Sequence, residues 1–228
     1  MKLHRLFPRL TPQDLIFWSL SSGAIVMSYF LYPAGDFVSV IGSVVGVTAL
    51  IYIAKGVVMG QFLSLAFCLF YGIYSLFFAY YGESVTYLGM SAPAAIFSII
   101  SWLRNPYRDS GRVKVSRLSL GRVMLTVMVC VPVTVLFYFI LRVLGTAQLA
   151  VSTFSIATSF LAAALSFQRS SFFALAYAVN DVVLILLWGG EYLRDPSVLP
   201  VIVCFASFLF NDIRTFLSWQ RLHREQED

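Results

Sequence analysis

Charged residues are scarce in this sequence, and so are the residue patterns that build metal or nucleotide sites. Asp, Glu, Lys and Arg make up only 12% of the 228 residues, about half the share that a soluble domain carries. The two histidines stand in polar terminal segments, and the three cysteines lie in apolar runs without CxxC spacing, which argues against a metal centre. The glycine motifs GxxxxGK[ST] and GxGxxG are absent, which argues against ATP-driven or dinucleotide-dependent chemistry.

Apolar residues, in contrast, make up 59% of the sequence, and the mean hydropathy is +0.82. They form eight runs, and a run of about 20 residues is long enough to cross a bilayer as a helix. The runs cover residues 14–32, 37–54, 58–80, 84–103, 122–142, 148–167, 171–190 and 197–219. The sequence therefore predicts an all-α membrane protein with eight transmembrane helices.

Positive charge is distributed unevenly over the breaks between these runs. With both termini in the cytoplasm, 13 of the 16 Lys and Arg residues fall on the cytoplasmic side, many of them in the basic loop 104–121. Cytoplasmic loops of membrane proteins carry an excess of Lys and Arg, so this orientation is the predicted one. The net charge of +5 then reflects orientation and contact with anionic lipid rather than nucleic-acid binding.

The sequence contains an internal repeat. Residues 96–104 and 213–221 both fit the pattern I-x-[ST]-x-[IL]-S-W-x-R, and the second and sixth runs each end in a single basic residue, Lys55 or Arg169. Runs 2–4 therefore form one predicted three-helix bundle and runs 6–8 its parallel copy, which requires run 5 as a linking helix. The predicted divisions are an N-terminal tail with an extra helix (1–36), the first bundle (37–104), the basic loop and linker helix (105–147), the second bundle (148–221) and a cytoplasmic tail (222–228).

Polar side chains inside the apolar runs identify the candidate site. Ionisable residues within a membrane usually face an interior cavity, and runs 7 and 8 each carry an adjacent pair, Asn180-Asp181 and Asn211-Asp212. These pairs clamp the two helices together, bind the hydroxyl and amide groups of a small polar substrate, or do both. Arg214 either reaches the membrane interface or pairs with Asp181 or with an acid on another helix. Further polar and aromatic candidates are Gln61, Tyr71, Tyr74, Phe173, Tyr177 and Trp188.

Aromatic rings beside amides suit a flat heterocycle, and a cationic ring would gain cation–π attraction. The alternative for these rings is packing between helices. Gly42 and Gly46 form a GxxxG pattern, which is typical of close helix packing.

Several segments carry a family resemblance through their order and spacing. They are Tyr71-Gly72, Ile96-Phe97 to Trp102, Tyr177-Ala-Val-Asn180 with Trp188, and Phe210-Asn211 to Ser218-Trp219-Gln-Arg221. Over residues 37–221 the chain resembles the Pnu family of bacterial vitamin transporters, and within it the nicotinamide riboside transporters. The WxxWxxxN motif of that family falls on Phe173, Ala176 and Asn180, of which only the asparagine is retained, and a family glutamine corresponds to Ser159.

The resemblance implies two parallel three-helix bundles joined by a linker helix, a fold related to that of the SWEET sugar transporters. It also implies facilitated diffusion of an unphosphorylated vitamin across a bacterial plasma membrane, trapping of that vitamin by a cytoplasmic kinase, and a homotrimer. Sister groups of the same family carry thiamine and riboflavin.

We therefore predict a transporter that imports nicotinamide riboside by alternating access, with no enzymatic activity and no cofactor. The predicted substrate-binding residues are Gln61, Tyr71, Tyr74, Ser159, Phe173, Tyr177, Asn180, Asp181, Trp188 and Asn211. The alternatives are a transporter of thiamine or riboflavin with the same fold, and a proton- or sodium-coupled symporter in which Asp181 or Asp212 takes up a proton. A membrane enzyme or a scaffold is a further alternative, although the sequence offers neither a nucleophile–base pair nor a metal cluster.

Overall fold

The computed structural model describes residues 8, 10–31, 37–77, 81–108, 110–146 and 148–227, and of residues 37–39 and 197 the backbone only. The basic residues Lys2, Arg5 and Arg9, used to predict the orientation, lie outside this part of the chain. Within it the eight predicted helices are present. They are α1 (Pro12–Leu31), α2 (Phe37–Ala54), α3 (Met59–Phe77), α4 (Tyr81–Arg104), α5 (Leu120–Val143), α6 (Leu149–Phe167), α7 (Phe172–Tyr192) and α8 (Leu199–Glu227).

Helix length and surface composition both fit a membrane. In the described part of the chain seven helices are long and apolar enough to cross a bilayer, and α2 contributes a shorter apolar stretch, Val40–Ala54. Large apolar side chains such as Phe30, Met128 and Leu186 point outward and are 66–75% exposed. Exposure of this kind is unfavourable in water and favourable against lipid.

The helices form two bundles, as the repeat predicts. In the first bundle α3 packs against both α2 and α4, and in the second α7 packs against both α6 and α8. The bundles meet where the first helix of each contacts the last helix of the other, so that α2 lies against α8 and α4 lies against α6. Helix α5 packs on α6 and links the bundles, and the predicted arrangement of two bundles, a linker and an extra N-terminal helix is confirmed.

The Ser-Trp pairs of the repeat make equivalent contacts across the two bundles. Ser101 and Trp102 donate hydrogen bonds to the last two carbonyl groups of α6, at 2.6 and 3.0 Å. Ser218 and Trp219 donate to the last two carbonyl groups of α2, at 2.7 and 2.7 Å. The repeat motif therefore ties the last helix of each bundle to the first helix of the other.

Helices α2 and α6 also end in the same way. Gly56 and Arg169 adopt left-handed backbone conformations, with φ of 68° and 59°. In each case the following residue, Val57 or Ser170, donates its N–H to a carbonyl five residues earlier, which is a Schellman ending. The structural equivalent of Arg169 is therefore Gly56 rather than Lys55.

The extra helix α1 packs against α2 of the first bundle and α8 of the second. Thr11 caps it, because its backbone N–H donates to the Asp14 carboxylate at 2.8 Å while its hydroxyl accepts the Asp14 N–H at 3.2 Å. The same carboxylate is buried and pairs with Lys55 at 2.5 Å and with Arg214. Arg214 therefore pairs with an acid on another helix, and that acid is Asp14 rather than Asp181.

The basic loop and the end of α8 form one structure. Helix α8 continues beyond its apolar run to Glu227, and there Gln226 exchanges hydrogen bonds with the backbone of Val113 and Val115 at 3.0 and 2.8 Å. Arg117 forms an ion pair with Glu227 at 2.5 Å. The loop also bonds to Gly56 and Arg169, so the basic segments lie together at one end of the protein, which we call the basic end.

Gly42 and Gly46 allow α2 to approach its neighbours closely, as the GxxxG pattern predicts. A Cβ atom at Gly42 would lie 2.6 Å from the Phe70 ring of α3, and one at Gly46 would lie 2.8 Å from the Phe208 ring of α8. Both distances are shorter than real contacts of this kind, so neither position accepts a larger residue without movement of its neighbours.

Candidate functional site

A cavity of about 690 Å³ lies between the two bundles. Its wall is formed by residues of α2 to α8, with the two bundles facing each other across it. Cavities of about 300–1,000 Å³ with an apolar lining and a few polar groups are typical of small-molecule sites. The repeat predicts a substrate site between the two bundles, and this cavity of the described residues lies there.

The cavity reaches the end of the protein opposite the basic end. Its wall there includes Gly82 at the start of α4, Thr146 between α5 and α6, and Arg194 after α7. We call this end the mouth. These residues lie at or between helix ends on one side of the protein, so the cavity reaches the ends of the helices there.

At the basic end the cavity is closed by the contacts of the repeat motif. The rings of Trp102 and Trp219 are in contact, with 5.2 Å between their centroids, and Phe173 packs edge-on against Trp219 at 4.8 Å. Just above them Gln61 of α3 donates a hydrogen bond to the Ser166 hydroxyl of α6 at 3.1 Å. All five side chains are buried, and together they form a layer that we call the closed end.

Seven of the ten residues predicted to bind substrate line this cavity. From the first bundle this is Gln61 alone, and from the second bundle these are Ser159, Phe173, Tyr177, Asn180, Asp181 and Trp188. The second bundle therefore supplies most of the predicted polar and aromatic wall.

Asn180 is held in place by the neighbouring helix α6. Its side-chain oxygen accepts hydrogen bonds from the hydroxyls of Ser155 at 2.9 Å and Thr158 at 2.8 Å, and the residue is 6% exposed. Asn180 and Ser155 both line the cavity, so the amide has a fixed orientation within its wall. A preorganised amide of this kind binds a polar group of a ligand without first losing conformational freedom.

Asn211 and Asp212 have different surroundings because the side chains of adjacent residues point about 100° apart on a helix. Asp212 lines the cavity, whereas Asn211 does not. The Asn211 amide donates to the Ser21 hydroxyl of α1 and to the Ser207 carbonyl, both at 2.8 Å. Asn211, which the sequence places in the site, thus lies in the contact between α8 and α1.

Tyr71 and Tyr74 also lie outside the cavity wall. They share a face of α3, as predicted, but Tyr71 packs against Phe67 and Tyr87 with ring centroids 5.1 and 5.4 Å apart. Tyr74 stacks on Phe70 at 6.1 Å with nearly parallel rings. Of the rings around Tyr71, Phe67 and Tyr87 line the cavity, and Tyr71 packs against both from outside the wall.

The cavity wall also contains residues outside the ten predicted ones, among them Asp212, Phe67, Glu83 and Tyr87. Glu83 lies between the predicted runs 58–80 and 84–103, whereas α4 begins at Tyr81 and includes it, and its carboxylate lies 3.5 Å from the Ser75 hydroxyl. Tyr87 begins a π-helical turn in which the Ala92 N–H bonds to the Tyr87 carbonyl five residues earlier. Pro93, which has no N–H, follows at once and was the available signal for this irregularity.

Among the described residues, the titratable side chains of the cavity wall are mostly acidic. Its acids are Glu83, Asp181, Glu191, Asp195 and Asp212, and its basic residue is Arg194. Arg194 lies 3.8 Å from Glu191, so its charge is already partly offset. A site of this composition attracts cations and repels anions.

Comparisons with known proteins agree with this architecture. A family model described as nicotinamide mononucleotide transporter matches residues 36–221. A solved structure described as the crystal structure of the vitamin B3 transporter PnuC matches with a TM-score of 0.81 and 19% sequence identity, covering 98% of this chain and 97% of that one. No curated protein matches the chain.

The structural match confirms the predicted fold, and the family model covers most of the chain, including both bundles. The family consists of transporters rather than enzymes, and the apolar helices cross the membrane several times. The chain is therefore a multi-pass membrane transporter that belongs to the nicotinamide mononucleotide transporter family.

Proposed function

We propose that this transporter carries nicotinamide riboside, the dephosphorylated form of the mononucleotide, by facilitated diffusion. The observation that carries the proposal is the acidic, aromatic cavity, in which five acids are opposed by one base. The oxidised nicotinamide ring of the riboside is a flat cation, and carboxylates and aromatic faces both attract such a ring. The ribose offers hydroxyl groups to the fixed amide of Asn180.

The same charge balance disfavours the mononucleotide itself. Its phosphate would enter a cavity whose basic residue, Arg194, lies at the mouth beside Glu191. Phosphate sites are normally built from Arg, Lys or backbone N–H groups at a helix start. The cavity wall offers Arg194 alone among Arg and Lys residues of the described chain, so the riboside is the better fit.

Seven residues are proposed to contact the riboside. Phe173, Tyr177 and Trp188 supply ring contacts, and Asn180 and Asp181 supply hydrogen bonds to the ribose or the carboxamide, with Gln61 and Ser159 as further polar contacts. Their common position on the cavity wall supports this assignment. Asn211, Tyr71 and Tyr74 are assigned supporting roles instead.

Alternating access would require the cavity to close at the mouth and open at the basic end. The excess of Lys and Arg supports placing the basic end and both termini in the cytoplasm of a bacterial cell. The structure then corresponds to an outward-facing state, and the Ser-Trp contacts of the closed end form the inner gate. Trapping by a riboside kinase and assembly as a homotrimer stay predictions that rest on the family resemblance.

Thiamine is a second candidate substrate, because it is also a heteroaromatic cation and the acidic wall favours it for the same reason. Riboflavin is uncharged and gains nothing from this wall. The departures from the family motif at Phe173, Ala176 and Ser159 lie in the bundle that supplies most of the site, where a change of substrate would be encoded.

Equilibrium binding to the purified protein with a series of ligands of different charge tests this proposal. We expect the riboside to bind best, and the reduced riboside, whose ring is neutral, to bind about tenfold more weakly because cation–π and carboxylate attraction are lost. The mononucleotide should bind at least about tenfold more weakly through repulsion of its phosphate. Equal or tighter binding of the mononucleotide would contradict the proposal, and preferential binding of thiamine would replace the substrate while keeping the argument from charge.

A further inference from the structure

The residues of α7 that line the cavity extend over most of the helix. Phe173 belongs to the closed end, whereas Trp188 lies about one turn before the mouth end of α7 at Tyr192. The 15 residues from Phe173 to Trp188 correspond to about 22 Å along the helix axis. A molecule of two linked rings is too short to contact both side chains at once. The riboside therefore contacts them in successive positions during its passage.

The inner of these positions surrounds Asn180. This residue lies about 12 Å deeper along α7 than Trp188, and its amide is held by two hydroxyls of α6. Tyr177 and Phe173 continue the wall from Asn180 to the closed end. The inner position thus offers both hydrogen-bonding groups and rings, whereas Trp188 belongs to a position nearer the mouth.

The outer position has one carboxylate and three aromatic rings in its wall. Glu83 and Tyr87 lie four residues apart in the first turns of α4, so they share a face of that helix, and both line the cavity together with Phe67 of α3. Helix α4 begins at the mouth and α7 ends there, which brings Trp188 to a similar depth on the opposite bundle. Tyr87 and Phe67 pack edge-on, with 5.9 Å between their ring centroids.

The start of α4 is fixed against α3, and this fixes the position of Glu83. The Ser84 hydroxyl donates a hydrogen bond to the Gly72 carbonyl of α3 at 2.8 Å, and the Ser75 hydroxyl lies 3.5 Å from the Glu83 carboxylate. Both serines are buried. A Cβ atom at Gly72 would lie only 2.5 Å from the Leu88 side chain of α4, so the two helices are in close contact. The carboxylate is therefore preorganised in the wall.

Neither the charge of Glu83 nor the face of Trp188 is used within the described part of the chain. No Lys or Arg side chain described there forms an ion pair with Glu83, and Arg194, the base of the wall, lies 3.8 Å from Glu191. The described tryptophans of the closed end, Trp102 and Trp219, pack on each other, whereas Trp188 contacts no described aromatic ring. A carboxylate without a counterion beside open aromatic faces attracts an organic cation.

We propose that Glu83, Tyr87 and Trp188 form an outer site that captures the cationic ring of the substrate before it moves on to Asn180. The inference rests on the proposed function, because it requires a heteroaromatic cation as the substrate. The outer site selects for positive charge and a flat ring, and the inner position selects for the polar groups of the ribose. No ion has to move with the substrate, so the two successive positions are consistent with facilitated diffusion.

A cation without a ribose isolates the outer site. In the purified full-length protein we expect 1-methylnicotinamide to quench tryptophan fluorescence, because its pyridinium ring would contact the indole of Trp188. Trp188→Phe should remove this quenching, whereas Trp18→Phe, which changes a tryptophan of α1 bonded to Thr48, should keep it. Neutral nicotinamide should bind at least about tenfold more weakly than the cation.

The charge of Glu83 is tested with the same probe. Glu83→Gln should weaken binding of 1-methylnicotinamide about tenfold through loss of the carboxylate. Glu225→Gln makes the same chemical change at an exposed acid that pairs with Arg112 at the basic end, and it should leave binding unchanged. Asn180→Ala should also leave binding of this probe unchanged, because the probe has no ribose.

Uptake into proteoliposomes separates this inference from the proposed substrate. Glu83→Gln should raise the KM for nicotinamide riboside about tenfold and leave the KM for the neutral reduced riboside unchanged. Riboside uptake with an unchanged KM in Glu83→Gln overturns the outer site and keeps the proposed function. Absence of quenching in the wild type, or quenching that survives Trp188→Phe, also overturns it. Probe binding that depends on Glu83 in a protein that transports no riboside would support the outer site and refute the proposed substrate.

Discussion

Asn180→Ala is expected to raise the KM for riboside uptake about 30-fold, and Asn211→Ala is expected to leave it unchanged. The expected loss of about 2 kcal/mol corresponds to a buried amide whose ligand group is left without a partner. Ser155 and Thr158 hold the Asn180 side chain in the cavity wall. Alanine at this position has no amide, so the hydrogen bond to the ligand is lost. Asn211 bonds to Ser21 on α1 and has no part in the cavity.

The two variants form a matched pair, because each removes a buried asparagine of an Asn-Asp sequence from an adjacent helix. Uptake of labelled riboside into proteoliposomes over a range of concentrations measures both values of KM. Thermal unfolding in detergent serves as the control, since Asn211→Ala should lower the melting temperature through loss of its contact to α1. Equal effects of the two variants on KM would refute the assignment of Asn180 to the site.

The double variant Trp102→Phe, Trp219→Phe is expected to raise the population of protein in which the closed end is open by about 30-fold. The substitutions keep aromatic rings in the contact but remove the N–H donors that reach the ends of α6 and α2. At about 1 kcal/mol for each hydrogen bond, the closed arrangement loses about 2 kcal/mol relative to the open one. Transport should persist, but the equilibrium between the closed and the open arrangement should shift toward the open one.

Labelling of a cysteine at the closed end measures this shift. Ser98→Cys places a thiol on the cavity wall near Trp102, at a position that is 2% exposed. A membrane-impermeant thiol reagent added at the basic end should label it about 30-fold faster in the double tryptophan variant, in line with the larger open population. Proteins without the added cysteine correct for the three native cysteines.

Trp18→Phe is the matched control for the gate, because Trp18 also donates its indole N–H, but to Thr48 between α1 and α2. It should leave the labelling rate unchanged. Unchanged labelling in the double tryptophan variant as well would show that the Ser-Trp contacts do not hold the cavity closed.

The fold could be predicted because membrane-spanning helices are recognised in a sequence from the length and hydropathy of their apolar runs. The Ser-Trp repeat then predicted two equivalent bundles. Its physical role is to donate hydrogen bonds to the opposite bundle at Ser166 and Ile53, and this role is visible only in the three-dimensional contacts. The apolar composition could not show where α8 ends, because its last turns are held by Gln226 and the basic loop rather than by lipid.

The site was harder to predict because it depends on which face of each helix points into the cavity. Asn-Asp pairs marked the right two helices, but only the structure shows that Asp212 rather than Asn211 faces the cavity. Tyr71 and Tyr74 share a helix face, as the spacing indicated, and that face packs against other rings. Tyr87 could not be assigned because the π-helical turn displaces it from the regular helical register.

Uptake of labelled nicotinamide riboside into proteoliposomes, with no ATP and equal ion concentrations and pH on both sides, tests the account most directly. We expect the label to reach equal concentrations inside and outside, with excess unlabelled riboside blocking uptake and excess mononucleotide blocking it only at much higher concentration. Absence of uptake until a proton or sodium gradient is imposed would contradict facilitated diffusion, and movement of the mononucleotide in place of the riboside would contradict the assigned substrate.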